Sequence, residues 1–297
     1  MNIKLISLKT LLGLKRYACA FQIKIRGIKG SPFAVEREGL SSTKTYLYRP
    51  TKEINKPMPL LINVHGGAWV MGDALKLDTQ SQIIADELSA MVVNVNYKKA
   101  DQRAFPYAQN EIVDTVKYFV RNASKFGVDL QKIILMGYSA GAHLCACAAQ
   151  MLNKTEIHIR YQVLCYPFTD FTCGRGTQTE IKETLDKIEF MNDVLFCEIT
   201  KEDFLASPAQ NPELEGLPST IVITCGNDSL RIQGDEYAKA LQNAGVEVKL
   251  FHYEDARHGY MEVNYPETRK DDAKSPEQEK LCKESLERIL FELKNNM

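Results

Sequence analysis

The chain has 297 residues, of which 44% are hydrophobic and 25% are charged, a balance typical of a globular protein. Its 37 basic and 38 acidic side chains give a net charge of −1, which argues against general binding to nucleic acid or anionic membranes. Apolar runs fall short of the roughly 20 residues that span a bilayer, so stable membrane insertion is not expected.

The first thirty residues are basic, with seven lysines and arginines and no acidic residue. We favour a short helix packed on the domain with its lysines in water. A secretory signal is disfavoured because Lys9, Lys15 and Arg16 interrupt the apolar stretch. An organelle transit peptide and a basic amphipathic segment on a membrane surface stay open as alternatives.

Apolar strands and amphipathic helices alternate along the rest of the chain. Between residues 107 and 126, for example, Ile112, Val116, Phe119 and Val120 share one helical stripe. Such alternation predicts an α/β fold with a mostly parallel sheet covered by helices on both faces. The predicted strands are 42–49 (half-exposed), 59–65, 91–96, 132–138, 161–166, 220–225 and 246–253, and the predicted helices are 79–90, 107–126, 140–152, 231–244 and 276–295.

Residues 168–217 break the alternation, because they lack a core strand and mix acids, cysteine and proline. We expect one domain over residues 1–297, with a small cap built from residues 1–40 and this insertion. A surface excursion without a role in the site is an equal alternative for the insertion.

The eight cysteines have the spacing of neither a zinc site nor a small disulfide scaffold. We expect free and mostly buried thiols in a reducing compartment, and therefore a cytoplasmic protein. The cysteines are Cys19, Cys145, Cys147, Cys165, Cys173, Cys197, Cys225 and Cys282.

Residues 137–141 read Gly-Tyr-Ser-Ala-Gly, the pattern of a nucleophile elbow. A predicted strand precedes this pentapeptide and a predicted helix follows it, which is the context in which the pattern indicates a catalytic serine. Ser139 is the candidate nucleophile. The plainer alternative is a strand-to-helix turn whose serine only caps the helix.

Residues 65–69, His-Gly-Gly-Ala-Trp, follow the predicted strand that begins at residue 59. Acyl transfer needs N–H donors aimed at a developing oxyanion, and amides in a glycine turn can approach it closely. Gly66 and Gly67 are the candidate donors, with the amide of Ala140 as the third. His65 is expected to hold the turn by hydrogen bonds rather than to act as a base.

Two aromatic residues beside these motifs are candidates for the wall of a substrate pocket. Trp69, the only tryptophan, follows the glycine turn, and Tyr138 precedes the candidate nucleophile. Ordinary hydrophobic packing is an equal alternative for Trp69.

A carboxylate and a histidine each follow a predicted strand. Asp228 comes after strand 220–225 and is suited to orient a histidine, whereas Asp235 lies inside the next predicted helix. Of the five histidines, only His258 lies in a loop beyond a strand with a glycine beside it. His258 is therefore the candidate base, and the order Ser139, Asp228, His258 is the α/β-hydrolase order.

From about residue 45 to 295 the chain resembles the hormone-sensitive-lipase-like branch of the α/β-hydrolases. The resemblance implies the α/β-hydrolase fold, a Ser139-Asp228-His258 triad and oxyanion donors at the glycine turn. The matching motifs are His65-Gly66-Gly67-Ala68-Trp69, Asn96-Tyr97 with Phe105-Pro106, Gly137–Gly141, Asp228-Ser229-Leu230-Arg231 and His258-Gly259.

The chain departs from that branch in three places. Ala68 replaces a third glycine, although it keeps a backbone N–H for the oxyanion. Residues 98–102 read Lys-Lys-Ala-Asp-Gln instead of Arg-Leu-Ala-Pro-Glu, and residues 232–234 read Ile-Gln-Gly instead of Asp-Glu-Gly.

The resulting hypothesis is a carboxylesterase that cleaves small, short-chain acyl esters through an acyl-serine, without cofactor or metal. An amidase-type hydrolase, such as an arylformamidase or a peptidase-like enzyme, is the first alternative. A non-catalytic ligand-binding protein on the same fold is the second. A homo-oligomer is compatible with the sequence.

Overall fold

The computed structural model describes residues 13–14, 27–172, 203–263 and 275–297 of the chain. These residues form one sheet, whose eight strands are β1 (Ser31–Val35), β2 (Thr43–Tyr48), β3 (Met58–Val64), β4 (Met91–Asn96), β5 (Val128–Tyr138), β6 (Ile159–Cys165), β7 (Ser219–Asn227) and β8 (Val248–Arg257).

The strand order is β1-β2-β4-β3-β5-β6-β7-β8. The six strands from β4 to β8 in this order pair in parallel, whereas β1 and β2 are antiparallel at one edge. The mostly parallel sheet predicted from the sequence is therefore confirmed. Parallel strands all point one way, so the loops after their carboxyl ends gather at one edge of the sheet.

Helices cover both faces of this sheet, as expected because central strands such as β3 are buried along their whole length. One apolar core lies between the sheet and α2, α4 and α5, and the other lies beneath α1 and α7. Leu60 and Ile62 enter the first core and Leu61 the second, so β3 serves both faces.

In the described ranges the helices are α1 (Asp78–Leu88), α2 (Tyr107–Arg121), α3 (Ala123–Phe126), α4 (Ala140–Leu152), α5 (Arg231–Asn243), α6 (Tyr260–Val263) and α7 (Pro276–Asn296). Short 3₁₀ turns occupy Ala74–Leu77 and Pro208–Gln210. None of these helices is both long and apolar enough to cross a membrane.

Three sequence predictions are corrected here. Residues 31–35, assigned to a cap, instead form the edge strand β1, where its proline is tolerated. The helix over 107–126 is interrupted at Asn122, whose side chain donates to the carbonyl of Tyr118. Strand β2 is mostly buried rather than half-exposed, because it lies between β1 and β4.

The predicted insertion is described only over residues 168–172 and 203–217, and the proposed N-terminal helix falls outside the described residues apart from 13–14. The described insertion residues contain the turn Pro208–Gln210 and pack on helices α2 and α4. Gln109 donates to the carbonyl of Leu205 at 3.0 Å, and Gln150 donates to that of Pro208 at 2.9 Å.

Five of the eight cysteines lie in the described ranges, and all five are buried free thiols, as predicted. They are Cys145, Cys147, Cys165, Cys225 and Cys282. Cys19, Cys173 and Cys197 lie outside the described residues.

Candidate active site

Ser139 is the single residue between strand β5 and helix α4, and its φ of 51° is strained for a residue with a side chain. The flanking glycines make this sharp turn possible. A Cβ at Gly137 would overlap the carbonyl group of Gly141, and one at Gly141 would overlap that of Val64. The turn thus holds the Ser139 hydroxyl at the carboxyl edge of the sheet.

The structure brings the three predicted catalytic side chains into one hydrogen-bonded line. Ser139 Oγ lies 2.8 Å from His258 Nε2, and His258 Nδ1 lies 2.6 Å from Asp228 Oδ2. With Nδ1 donating to the carboxylate, Nε2 is left to accept the serine proton. The other oxygen of Asp228 accepts the Leu230 N–H at 2.9 Å, which fixes the orientation of this buried carboxylate.

Strand β8 is longer than predicted and ends at Arg257, so His258 follows it directly. The other candidates lie elsewhere, as the sequence suggested. Asp235 lies inside helix α5, His158 is exposed in a loop, and His252 on strand β8 contacts Thr224 and Glu254.

The glycine turn is held from one side by His65, as predicted. The buried imidazole donates from Nδ1 to the carbonyl of Gly66 at 2.6 Å and stacks on Tyr97. Its Nε2 accepts from the Lys99 ammonium at 3.1 Å. Burial, reinforced by Lys99, lowers the pKa of His65 well below its ordinary value, so the ring is neutral and keeps these two roles.

The prediction that Gly66 donates to the oxyanion is wrong. Its amide donates instead to Oε1 of the buried Glu262 at 2.8 Å. The residues of the turn that line the cavity beside Ser139 are Gly67, Ala68 and Trp69. Burial raises the pKa of Glu262, while Lys76, the Gly66 N–H and His258 oppose that shift.

Neither Glu262 nor Lys99 was among the sequence candidates. Glu262 lies four residues after His258 on a helix of one turn, and Lys99 follows strand β4 by three residues. Their contacts to the turn cross 196 and 34 residues of sequence, so local patterns carry no signal for them.

A cavity of about 430 Å³ opens on Ser139. Besides Ser139 and His258, its lining in the described residues includes the glycine turn, Trp69 and Phe168. Volumes of this size are usual for sites that enclose a small organic ligand.

The two pocket predictions have different outcomes. Trp69 lines the cavity, packed edge-on against Phe168 with ring centres 5.4 Å apart. The prediction for Tyr138 is wrong, because its ring lies in the core on the opposite face of the sheet. There its hydroxyl donates to Gln80 at 2.6 Å.

An aromatic cluster backs Trp69 and joins it to the insertion. The indole N–H donates to His143 Nδ1 at 3.1 Å, and Phe171 packs 5.5 Å from the indole. His143 Nε2 in turn donates to the carbonyl of Ala206 at 2.9 Å. The insertion thus contacts Trp69 directly through Phe168 and Phe171, and through His143 at Ala206.

Comparison with known proteins agrees with this architecture. A family model described as alpha/beta hydrolase fold matches residues 61–262. The chain is 28% identical to an arylesterase of Saccharolobus solfataricus over 221 residues, covering 72% of each chain. It is also 28% identical to an arylacetamide deacetylase of Oryctolagus cuniculus over 287 residues, which cover 73% of this chain and 72% of that relative.

Among solved structures, a hyperthermophilic esterase from the archaeon Pyrobaculum calidifontis matches with a TM-score of 0.81 and 26% identity. The match covers 99% of this chain and 91% of that one. Since the family model spans well over half of the sequence, the chain belongs to the α/β-hydrolase family, in the hormone-sensitive-lipase-like branch that its motifs resemble.

Proposed function

We propose that this protein is a carboxylesterase that hydrolyses esters of small molecules through a Ser139-His258-Asp228 triad. The observation that carries the proposal is the hydrogen-bonded line from Ser139 Oγ through His258 to Asp228, in which Ser139 and His258 line a cavity. The esterases and the arylesterase similar to this chain support the same reaction class.

In the proposed mechanism, His258 Nε2 accepts the Ser139 proton while Oγ attacks the ester carbonyl carbon. Asp228 holds the imidazole in the required tautomer and stabilises the imidazolium. The C–O bond to the alcohol then breaks, and His258 returns the proton to the leaving alcohol. Water, deprotonated by His258, then attacks the acyl carbon; the bond to Ser139 Oγ breaks, His258 returns the proton to Oγ, and the acid is released. None of these steps requires a metal or a cofactor.

The oxyanion donors of this proposal are the amides of Gly67, Ala68 and Ala140. Gly67 and Ala68 border the cavity beside Ser139, and Ala140 begins helix α4. Ala68 and Trp69 hold φ at 50° and 58°, a strained geometry that is typical of functional turns. Removing one such donor typically lowers turnover about 10²–10³-fold.

The cavity suits a short acyl chain or a small aromatic alcohol, and its described walls are largely apolar. The insertion residues that contact Trp69 are included here as part of a cap. A cytoplasmic location, expected from the buried thiols, belongs to the same proposal.

Purified protein tests the proposal with p-nitrophenyl acetate and a fluorophosphonate label. We expect ester turnover and covalent labelling, and a loss of turnover of about 10⁴-fold or more in Ser139→Ala, with no label. Esters of increasing acyl length, one formamide and one arylacetamide separate esterase from amidase activity. Full activity of Ser139→Ala would refute the triad, and a folded protein that takes up no label would favour a binding protein.

A further inference from the structure

Glu262 links the two halves of the candidate site. It lies four residues after His258, yet its carboxylate accepts the N–H of Gly66, 196 residues earlier in the chain, at 2.8 Å. The segment after strand β8 supplies the candidate base, His258, and the glycine turn after strand β3 supplies Gly67 and Ala68. One buried hydrogen bond therefore connects the element that moves the proton to the element that would bind the oxyanion.

The carboxylate fits closely against the turn. A Cβ at Gly66 would lie 2.6 Å from Glu262 Oε2 and 2.9 Å from the carbonyl oxygen of Tyr138, so only glycine leaves room for this contact. Glu262 is 6% exposed. With water excluded, a hydrogen bond to a carboxylate is stronger and more directional than at the surface.

The segment that carries Glu262 is itself anchored. Tyr260, two residues earlier, shares a 2.5 Å hydrogen bond with Ser285 on helix α7, and the Glu262 N–H donates to the carbonyl of Gly259 at 2.9 Å. The backbone that carries Glu262 is thus fixed, and the Glu262 carboxylate contacts the glycine turn through the Gly66 N–H.

The groups around Glu262 partly offset the cost of burying its carboxylate. Lys76 lines the same cavity, and its charge favours the ionised form, as do His258 and the Gly66 N–H. A buried acid without such partners would be costly to keep.

We propose that Glu262 is a positioning residue, which holds the glycine turn at a set distance from His258 and Ser139 through the Gly66 N–H. The inference rests on the proposed function. It assigns Gly66 a structural role in place of oxyanion binding.

Loss of the Glu262 contact is expected to weaken the stabilisation of the transition state. Oxyanion donors act on charge that develops during the reaction, so a displaced turn lowers kcat more than it changes substrate binding. Displacements near 1 Å can cost about 100-fold, and we expect a loss of about 10- to 100-fold without the Glu262 acceptor.

The test compares Glu262→Gln, which keeps an acceptor oxygen, with Glu262→Met, which has similar length and none. In Glu262→Met we expect kcat to fall by about 10- to 100-fold with KM within about 3-fold, and in Glu262→Gln we expect most of kcat to return. Glu111 supplies the matched control, because it is another buried glutamate that accepts a backbone N–H, that of Lys98, outside the cavity. Glu111→Met should keep kcat.

Trp69 gives a readout that does not need turnover, because it is the only tryptophan and lies three residues after Gly66. Acrylamide should quench its fluorescence more strongly in Glu262→Met than in wild type or Glu262→Gln. Wild-type kcat and quenching in Glu262→Met would overturn the inference and leave the proposed function standing. Absence of turnover in wild type would overturn the proposed function, and quenching would still decide whether Glu262 holds the turn.

Discussion

Two sides of the cavity around Ser139 are held in place by different kinds of interaction. On one side, the glycine turn is fixed by directional hydrogen bonds, with His65 on the Gly66 carbonyl and Glu262 on the Gly66 amide. On the other side, Trp69 packs in a cluster of rings with Phe168 and Phe171, and its indole N–H donates a hydrogen bond to His143.

This difference matches what each side has to do. Directional bonds define atomic positions to a few tenths of an ångström, which the donors of an oxyanion require. Aromatic packing fills volume and tolerates changes of shape, which suits a wall that contacts different substrates. We therefore expect substitutions on the polar side to reduce turnover and those on the aromatic side to change substrate preference.

The largest effect is expected from Asp228→Asn, which changes the carboxylate at the end of the hydrogen-bonded line from Ser139 through His258. An amide that donates toward Nδ1 favours the wrong imidazole tautomer, so kcat/KM should fall by about 10⁴-fold with the fold intact. Turnover of p-nitrophenyl acetate and thermal unfolding measure the two quantities. Asp235→Asn, in helix α5, is the control and should retain turnover; equal losses in both variants would contradict the assignment.

The sequence predicted the residues of the polar line because each follows a strand of a parallel sheet. Ser139, Asp228 and His258 each come directly after a strand, β5, β7 and β8 respectively, so topology alone brings them to one edge. Periodicity likewise predicted every parallel strand. Strand β1 escaped because five residues that include a proline have no clear period.

Two site predictions failed for reasons that distance along the chain explains. The Gly66 amide donates to Glu262 instead, and no local pattern encodes a contact across 196 residues. Tyr138 was a different error, since successive strand residues point to opposite faces. With Ser139 toward the cavity, the preceding side chain enters the core on the other face.

A smaller loss is expected from His65→Phe, which keeps a ring against Tyr97 but removes the donor to the Gly66 carbonyl. The turn should loosen and kcat should fall about 10-fold, with a stability loss of about 1–3 kcal/mol from the unpaired polar groups. Steady-state kinetics and urea unfolding measure both. His252→Phe, at a histidine outside the cavity, serves as the control, and unchanged kcat in His65→Phe would show that the turn does not need this bond.

On the aromatic side, Trp69→Phe should change preference more than rate. A smaller ring leaves room in the cavity, so the ratio of kcat/KM for p-nitrophenyl butanoate to that for the acetate should rise about five-fold, within the range that one or two methylene groups contribute. The value of kcat/KM for the acetate alone should change by a smaller factor than this ratio does. If the ratio equals that of wild type and the acetate reaction is slower, Trp69 contributes to turnover, as expected of the residues on the polar side, and not to substrate preference.

The smallest effect concerns the one buried imidazole within the described aromatic cluster, His143. Burial lowers its pKa from 6.5 to about 4, so between these values the unfolded chain binds a proton that the folded protein does not. Stability must then fall as pH falls, and His143 alone should contribute about 1 kcal/mol of loss between pH 7 and pH 5.5.

His143→Gln removes that titration while an amide can still accept from Trp69 and donate to Ala206. Burial raises the pKa values of Glu111 and Glu262, so these two groups increase stability as pH falls. They do so equally in wild type and in His143→Gln. Urea unfolding at pH 7, 6 and 5.5 should therefore show a shallower decline for His143→Gln, with wild-type turnover at pH 7. Parallel declines would mean that His143 becomes protonated in the folded state, and that the aromatic side contains a charge after all.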